Sequence, residues 1–442
     1  MGNQCHGLAD GLGEGPDRVD IRSLLKSRFA RGVYWNLLSL FCLGIAGVVL
    51  NVGIGRFYGP SALGVFNQVF ALYILVSQLA VFGIWLSTLK HVSEFAADRG
   101  TCSCVVSAAL IAVGVTATVF TVLSLVCADL FGTLLESPGV TVGWLCVLPG
   151  VWCYAVNKVL MAVLNGHRNM RAYALSQIGR YTLMVLLLVF CVVRQAPSWL
   201  LPGIIGLPEI ALCFALLIYT RRHYDPVIST RCMDWVKRHL AFGVWSLPSG
   251  AMAELNTRVD VLMLGYFCSD RLVGIYSMAA MIVEGLAQIP VAFRDNVNPI
   301  LTRLFVEGRF AALERMVRQG CRLFMFGMTA VSVLAVGVYP ILLGVLVGRT
   351  AFAGSWEVFA VLMIAFALSS GYVPFNMLLV QAGRPGLHTG LKTGIVLTNI
   401  VLNILLIPRF GVMGAAFATG GSFILAVAYL KLITRRFLDV TI

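Results

Sequence analysis

Apolar runs of about twenty residues recur along the chain from Val33 to Ile433, separated by short polar joints. About 20 residues at 1.5 Å rise cross a ~30 Å hydrocarbon layer, so each run reads as a transmembrane helix. The pattern predicts twelve spans, at 33–56, 63–89, 103–127, 141–164, 174–193, 199–219, 240–267, 272–293, 320–347, 354–380, 387–407 and 411–433. Ahead of the first, Ile21, Leu24, Leu25 and Phe29 share one helical face and Arg22, Lys26, Arg28 and Arg31 accompany them. That is the pattern of a helix lying on an anionic leaflet. The joint 303–322 interleaves Arg303, Arg309, Arg315, Arg318 and Arg322 with Leu304, Phe305, Phe310, Leu313 and Met316, and it reads in the same way. Residues 1–20, with Gly11, Gly13, Gly15, Pro16 and Asp17, read as a disordered tail.

Charge orients the spans. Of the 33 Lys and Arg residues, 24 fall in the joints and tails on the side that holds both termini, and five fall on the other side. Lys158, Arg180, Arg258 and Lys392 lie within spans. The bias predicts cytoplasmic termini. It also accounts for a net charge of +13 without nucleic acid as a partner. Composition agrees with a membrane protein: 59% hydrophobic, 12% charged, mean hydropathy +0.88. No joint is long enough to fold alone, which argues against a soluble catalytic domain. The twelve cysteines are scattered without metal spacing and read as small apolar helix residues, so no metal or cofactor is expected. No Gly-x-x-x-x-Gly-Lys-Ser/Thr motif is present, which excludes direct ATP use of the P-loop kind.

The chain also repeats itself. A shift of 210 residues superposes Trp35 on Trp245, Leu37 on Leu247, Ser39 on Ser249, Val49 on Val259, Gly55 on Gly265, Phe57 on Phe267 and Gly64 on Gly274. Both halves end alike, in Tyr219-Thr220-Arg221-Arg222 and Ile433-Thr434-Arg435-Arg436. Six spans per half give both copies the same orientation, related by an axis along the membrane normal with a substrate path between them. The expected division is a leading amphipathic helix plus six-helix bundle at 21–222, a cytoplasmic linker at 223–239, and a second six-helix bundle at 240–442.

The second half carries Asn256-Thr257-Arg258-Val259-Asp260, Leu264-Gly265-Tyr266-Phe267, Val273-Gly274-Ile275-Tyr276-Ser277 and Pro299-Ile300-Leu301. The first carries Gly55-Arg56-Phe57-Tyr58-Gly59-Pro60-Ser61-Ala62-Leu63-Gly64-Val65-Phe66. From about 28 to 436 the chain resembles the polysaccharide transporter family of Wzx-type oligosaccharide flippases. Its superfamily also holds multidrug and toxic-compound extruders and lipid II flippases. The resemblance implies an all-α polytopic membrane protein, two parallel six-helix bundles in a MATE-like V-shaped carrier. It implies movement of undecaprenyl-diphosphate-linked oligosaccharide from the cytoplasmic to the outer leaflet by alternating access, for surface or exopolysaccharide synthesis such as O-antigen. Membrane lipids, and polysaccharide polymerase and ligase proteins, are the implied partners. Two alternatives remain: a cation-coupled multidrug or metabolite antiporter of the same superfamily, and a membrane polymerase or ligase.

A charge at the bilayer centre costs about 3 kcal/mol or more on insertion scales, so intramembrane ions mark candidate sites. Arg258 lies nine residues from the outer end of its span, ~13 Å deep. Arg258 and Arg180 are the expected phosphate-holding cations, because guanidinium forks match phosphate oxygens in pairs. Glu254, one turn before Arg258, offers a neutralising alternative within the same helix. Asp260 is turned away from Arg258 by ~200°. Glu284, Glu209, Asp260 and Glu254 are the candidates for coupling to a proton or Na⁺. Among the intramembrane amides, Asn157, Gln288 and Asn376 are the expected sugar contacts, since amides both donate and accept. Gly44-x-x-Gly47 and Gly411-x-x-Gly414 read as close-packing motifs.

Overall fold

A computed structural model describes residues 28–224, 232–348, 350–438 and 440. The expected tail, most of the leading amphipathic segment and residues 225–231 of the linker lie outside the described residues. The described chain is helical, without strands: α1 (Arg28–Val81), α2 (Ile84–Glu94), α3 (Arg99–Val126), α4 (Ala128–Leu134), α5 (Pro138–Gly166), α6 (Met170–Val193) and α7 (Gly203–Tyr224) form the first half. The second half comprises α8 (Cys232–Phe267), α9 (Asp270–Val306), α10 (Phe310–Leu346), α11 (Ser355–Ser370), α12 (Leu378–Gln381), α13 (Pro385–Phe410) and α14 (Val412–Leu438).

Among the described residues nine helices are long and apolar enough to cross a membrane, and α11 with the segment Val373–Gln381 makes a tenth span bent by 50°. Twelve passages result when α1 is divided at its break and α8 is added. The break is Gly59, with φ 84° and ψ 177°, followed by Pro60. Glycine adopts that backbone without a Cβ penalty, and proline cannot donate back into the preceding turn. α8 falls short on apolarity because it carries Glu254, Arg258 and Asp260 in its membrane half.

Several ends differ from the hydropathy pattern. The joint 303–322 is not a surface helix. α9 runs on to Val306 and α10 starts at Phe310, with a tight turn at Gly308 (φ 66°) between them. Glu307 bridges that turn, accepting from Arg303 at 2.6 Å and from Arg309 at 3.4 Å. Arg303 beside it holds the Glu307 carboxyl below its usual range. Uninterrupted helical backbone bonds are the physical reason the apolar runs extend past the membrane edge into charged sequence. The span expected at 63–89 is broken at Phe82 (φ 52°) and Gly83 (φ 68°) before α2. Gly44 and Gly47 are not packing contacts: nothing lies within 4 Å of a Cβ built on either.

The halves meet about the repeat axis. A Cβ on Gly64 would strike the Asp270 carbonyl, and one on Gly274 would strike the Pro60 carbonyl; each also comes 3.1 Å from the other glycine's nitrogen. Residues 60 and 270, like 64 and 274, are equivalent under the 210-residue shift. The end at which α1 breaks, away from most Lys and Arg, is therefore tightly closed. Asp270 there accepts from Gln68 (2.7 Å) and Ser137 (2.8 Å), both in the first half. Arg56 donates to the carbonyls of Val345 (3.1 Å) and Leu346 (3.2 Å), capping α10 of the second half rather than reaching for headgroups.

Two seams leave this axis toward the opposite, basic end. At the closed end they match: a Cβ on Gly265 meets Gln68, and a Cβ on the equivalent Gly55 meets Met278. Further along they part company. In the seam of α1–α2 with α8, Gln78 donates to Glu254 at 3.1 Å, Gly243 packs on the Phe82 carbonyl and Ser246 donates to the Gly83 carbonyl at 3.5 Å. His239 then contacts Ser87 Oγ at 2.8 Å and the Val105 carbonyl at 3.2 Å. In the seam of α1 with α9, the residues equivalent to Gln78 and Glu254 are Gln288 and Gly44. Gln288 is exposed, and both Gly44 and Gly285 face open space. One seam is shut along its length and the other opens toward the basic end.

Candidate functional site

Within the first half, α5, α6 and α7 bury a polar knot. Arg180 Nε lies 2.9 Å from Glu209 Oε1, with both side chains almost wholly buried. Arg180 Nη1 donates to Gln177 Oε1 at 3.2 Å, and its guanidinium stacks over Tyr154, 5.4 Å from the ring centre. Asn157 Nδ2 donates to the Glu209 carboxylate and to the Glu209 carbonyl, both at 2.9 Å. Three expected site residues, Arg180, Glu209 and Asn157, are thus joined to one another. Low dielectric makes such a pair strong only while both members remain.

The second half buries a different knot. Asp260 on α8 accepts from Asn403 Nδ2 (2.9 Å), Thr419 Oγ1 (2.8 Å) and Tyr276 OH (3.2 Å). Asn403 also donates to Asn399. The four partners come from α9, α13 and α14, so the cluster ties α8 into its own bundle. Among the described residues no cation pairs with Asp260. Three donors partly replace water around the carboxylate, and the absence of a counter-ion leaves the site suited to a proton or a bound cation.

Arg258 sits two residues earlier on α8, and the helical turn points it at the other half. Its guanidinium lies over Phe70 of α1, 5.2 Å from the ring centre, and its Nε is buried without a hydrogen-bond partner. Glu254 contacts Gln78 instead of Arg258, so the neutralising pair within the helix does not form. On the facing side Lys158 of α5 stands over Trp85 at 5.2 Å and Tyr154 at 5.6 Å, with Nζ 3.4 Å from Tyr154 OH. Neither Lys158 nor Arg258 has an ion-pair partner among the described residues.

A continuous ladder of rings joins these two cations. Phe70 stacks on Tyr73 at 6.2 Å, and Tyr73 meets Tyr154 edge-on at 5.5 Å. Arg258 caps the ladder from the second half, and Lys158 caps it from the first. Lys158 lies eight residues from the basic end of α5, ~12 Å deep, so both cations sit near mid-membrane. In the sequence Lys158 is one more charge within a span. Tyr154 is one turn before it on α5, but Trp85 of α2 is brought to it only by the fold, and that marks it out. Glu284 and Gln288 lie one turn apart on an exposed face of α9 at the open seam. Asn376 is not deep in a continuous span. It closes the short turn Val373–Phe375 at the 50° bend, with Oδ1 buried and unpartnered.

Comparisons with known proteins converge on one group. Residues 29–305 match the family model described as polysaccharide biosynthesis protein. "Probable flippase AglR" of Haloferax volcanii is 30% identical over 172 residues, 36% of this chain and 34% of that relative's length. Among solved structures, "Lipid II flippase MurJ, inward closed conformation" superposes with a TM-score of 0.75 at 13% identity, covering 91% of this chain and 87% of the other. An inward-facing multidrug resistance MATE family transporter gives 0.76 at 12% identity, covering 89% and 94%. At such identities the superpositions establish a MATE-like fold.

Proposed function

Because this chain belongs to the family of polysaccharide biosynthesis proteins, we propose that it flips undecaprenyl-diphosphate-linked oligosaccharide from the cytoplasmic to the outer leaflet by alternating access. The observation that carries this reading is the pair of cations without a salt bridge, Lys158 and Arg258, presented by opposite halves along one aromatic ladder. A diphosphate supplies the missing counter-charge, and aromatic faces suit the apolar faces of sugar rings. The basic end is taken as cytoplasmic. The open seam between α1 and α9 admits the sugar headgroup sideways while the polyprenyl tail stays in lipid. Asp260 is assigned to the coupling ion, proton or Na⁺, because Glu209 is tied to Arg180 and Glu254 to Gln78.

The test is leaflet transfer of a fluorescent undecaprenyl-diphosphate oligosaccharide in proteoliposomes, read by quenching, with and without proton or Na⁺ gradients. Arg258→Ala and Lys158→Ala are each expected to slow transfer at least tenfold, and Asp260→Asn to remove its dependence on the gradient. Transfer that is indifferent to both cation substitutions would sink the reading. Uptake of organic cations in the same vesicles would favour an antiporter.

A further inference from the structure

Cys104, near the start of α3, and Cys232, the first residue of α8, are joined as a disulfide with Cα atoms 5.3 Å apart and 128 residues between them in sequence. It is an exception to the expectation that most of the cysteines are small apolar helix residues. One sulfur belongs to the first half and the other to the second, so the bond crosses the shut seam. It lies at the basic end, beside the other contacts that hold that seam. Val105, the neighbour of Cys104, offers its carbonyl to His239, about one turn beyond Trp235. Trp235, less than one turn past Cys232, meets His91 edge-on at 5.0 Å and Phe95 at 5.6 Å. The other nine described cysteines are unpaired.

The location decides what such a bond does. The charge bias puts the basic end in the cytoplasm, where thiol pools keep structural disulfides from persisting and cytosolic disulfides are transient and sensing. Accessibility fits a reversible bond: Cys104 is partly exposed and Cys232 is buried. A disulfide joining moving bodies also acts mechanically. It fixes the start of α8 to α3 at the place where the halves must shift if the shut seam is to rearrange.

We propose that Cys104 and Cys232 form a reversible thiol–disulfide couple that latches the two halves together and arrests the carrier when oxidised; the arrest rests on the transport reading above. The oxidant is a low-molecular-weight disulfide such as oxidised glutathione. The Cys104 thiolate attacks one of its sulfurs, forming a mixed disulfide and releasing one thiolate. The Cys232 thiolate then displaces the second. In total two protein thiols and one small disulfide become one protein disulfide and two small thiols.

The experiment uses the full chain in proteoliposomes equilibrated with reduced and oxidised glutathione at a series of ratios. Three quantities are read at each ratio: the Cys104–Cys232 linkage by peptide mass spectrometry after alkylation, amide hydrogen exchange in 82–94 and 232–246, and leaflet transfer. The linkage is expected to titrate reversibly, with exchange in both segments slowing and transfer falling at least tenfold as it forms. Cys104→Ser and Cys232→Ser are expected to transfer at the reduced protein's rate under all ratios. A linkage that never forms in excess oxidised glutathione, or never reduces in excess thiol, overturns the couple. So do unchanged exchange or unchanged transfer in fully linked protein. If transfer is absent at every ratio while linkage and exchange respond together, the latch stands and the transport reading falls.

Discussion

Arg180 and Arg258 illustrate how identical side chains at similar depth acquire different duties. Arg180 is held by Glu209, Gln177 and Tyr154 inside one bundle, whereas Arg258 is aimed across the seam at Phe70 and makes no salt bridge. Removing one partner of a buried ion pair strands the other, at a cost of about 3–5 kcal/mol. Glu209→Ala is therefore expected to lower the melting temperature of the detergent-purified protein sharply, while Arg258→Ala leaves it nearly unchanged. Equal losses for the two variants would mean that Arg258 is a structural residue. The sequence exposed Arg180, Arg258 and Asp260 as costly ions, because charge within an apolar run is visible without a fold. It could not tell the paired arginine from the unpaired one, since Glu209 lies on a different helix. Lys158 escaped for a like reason: Tyr154 lies one turn before it, but Trp85 reaches it only when α2 packs against α5.

At the scale of elements, hydropathy located nearly every helix but not its ends. Apolar content registers the ~30 Å that lie in lipid, whereas a helix stops where its backbone bonds stop. That is why α9 and α10 extend into the arginine-rich joint, and why the breaks at Gly59 and at Phe82–Gly83 needed backbone angles to be seen. The contact of Gly64 with Gly274 is an element-level lock, for it lets two helices approach to backbone distance at the closed end. Gly274→Leu is expected to wedge that end apart and shift the population toward openness there. A cysteine placed at Gln68 should then react at least fivefold faster with a membrane-impermeant maleimide added from that side. Unaltered reactivity would show that the glycine pair does not hold the closure.

For the molecule as a whole, this is a multi-pass helical membrane protein of the MATE-like fold whose repeat is obeyed at one end and broken at the other. The equivalence of 44 with 254 and of 78 with 288 turns that break into a measurement. A Cβ on Gly44 meets nothing within 4 Å, so in the double variant Gly44→Cys, Gln288→Cys the two thiols are expected to cross-link only as the open seam closes during turnover. Cross-linking should then stop transfer, and reductant should restore it. Rapid cross-linking of the resting protein would mean that the seam is already shut.

The meeting of Gly64 with Gly274 has a bearing on ancestry. Each glycine is the other's counterpart, so this contact asks for no second kind of surface; one six-helix unit facing a copy of itself about the same axis satisfies it equally well. A pair of identical units, however, has identical seams and must treat both alike. Within one polypeptide each seam is free to mutate alone, so that one can serve as a door and the other as its bolt.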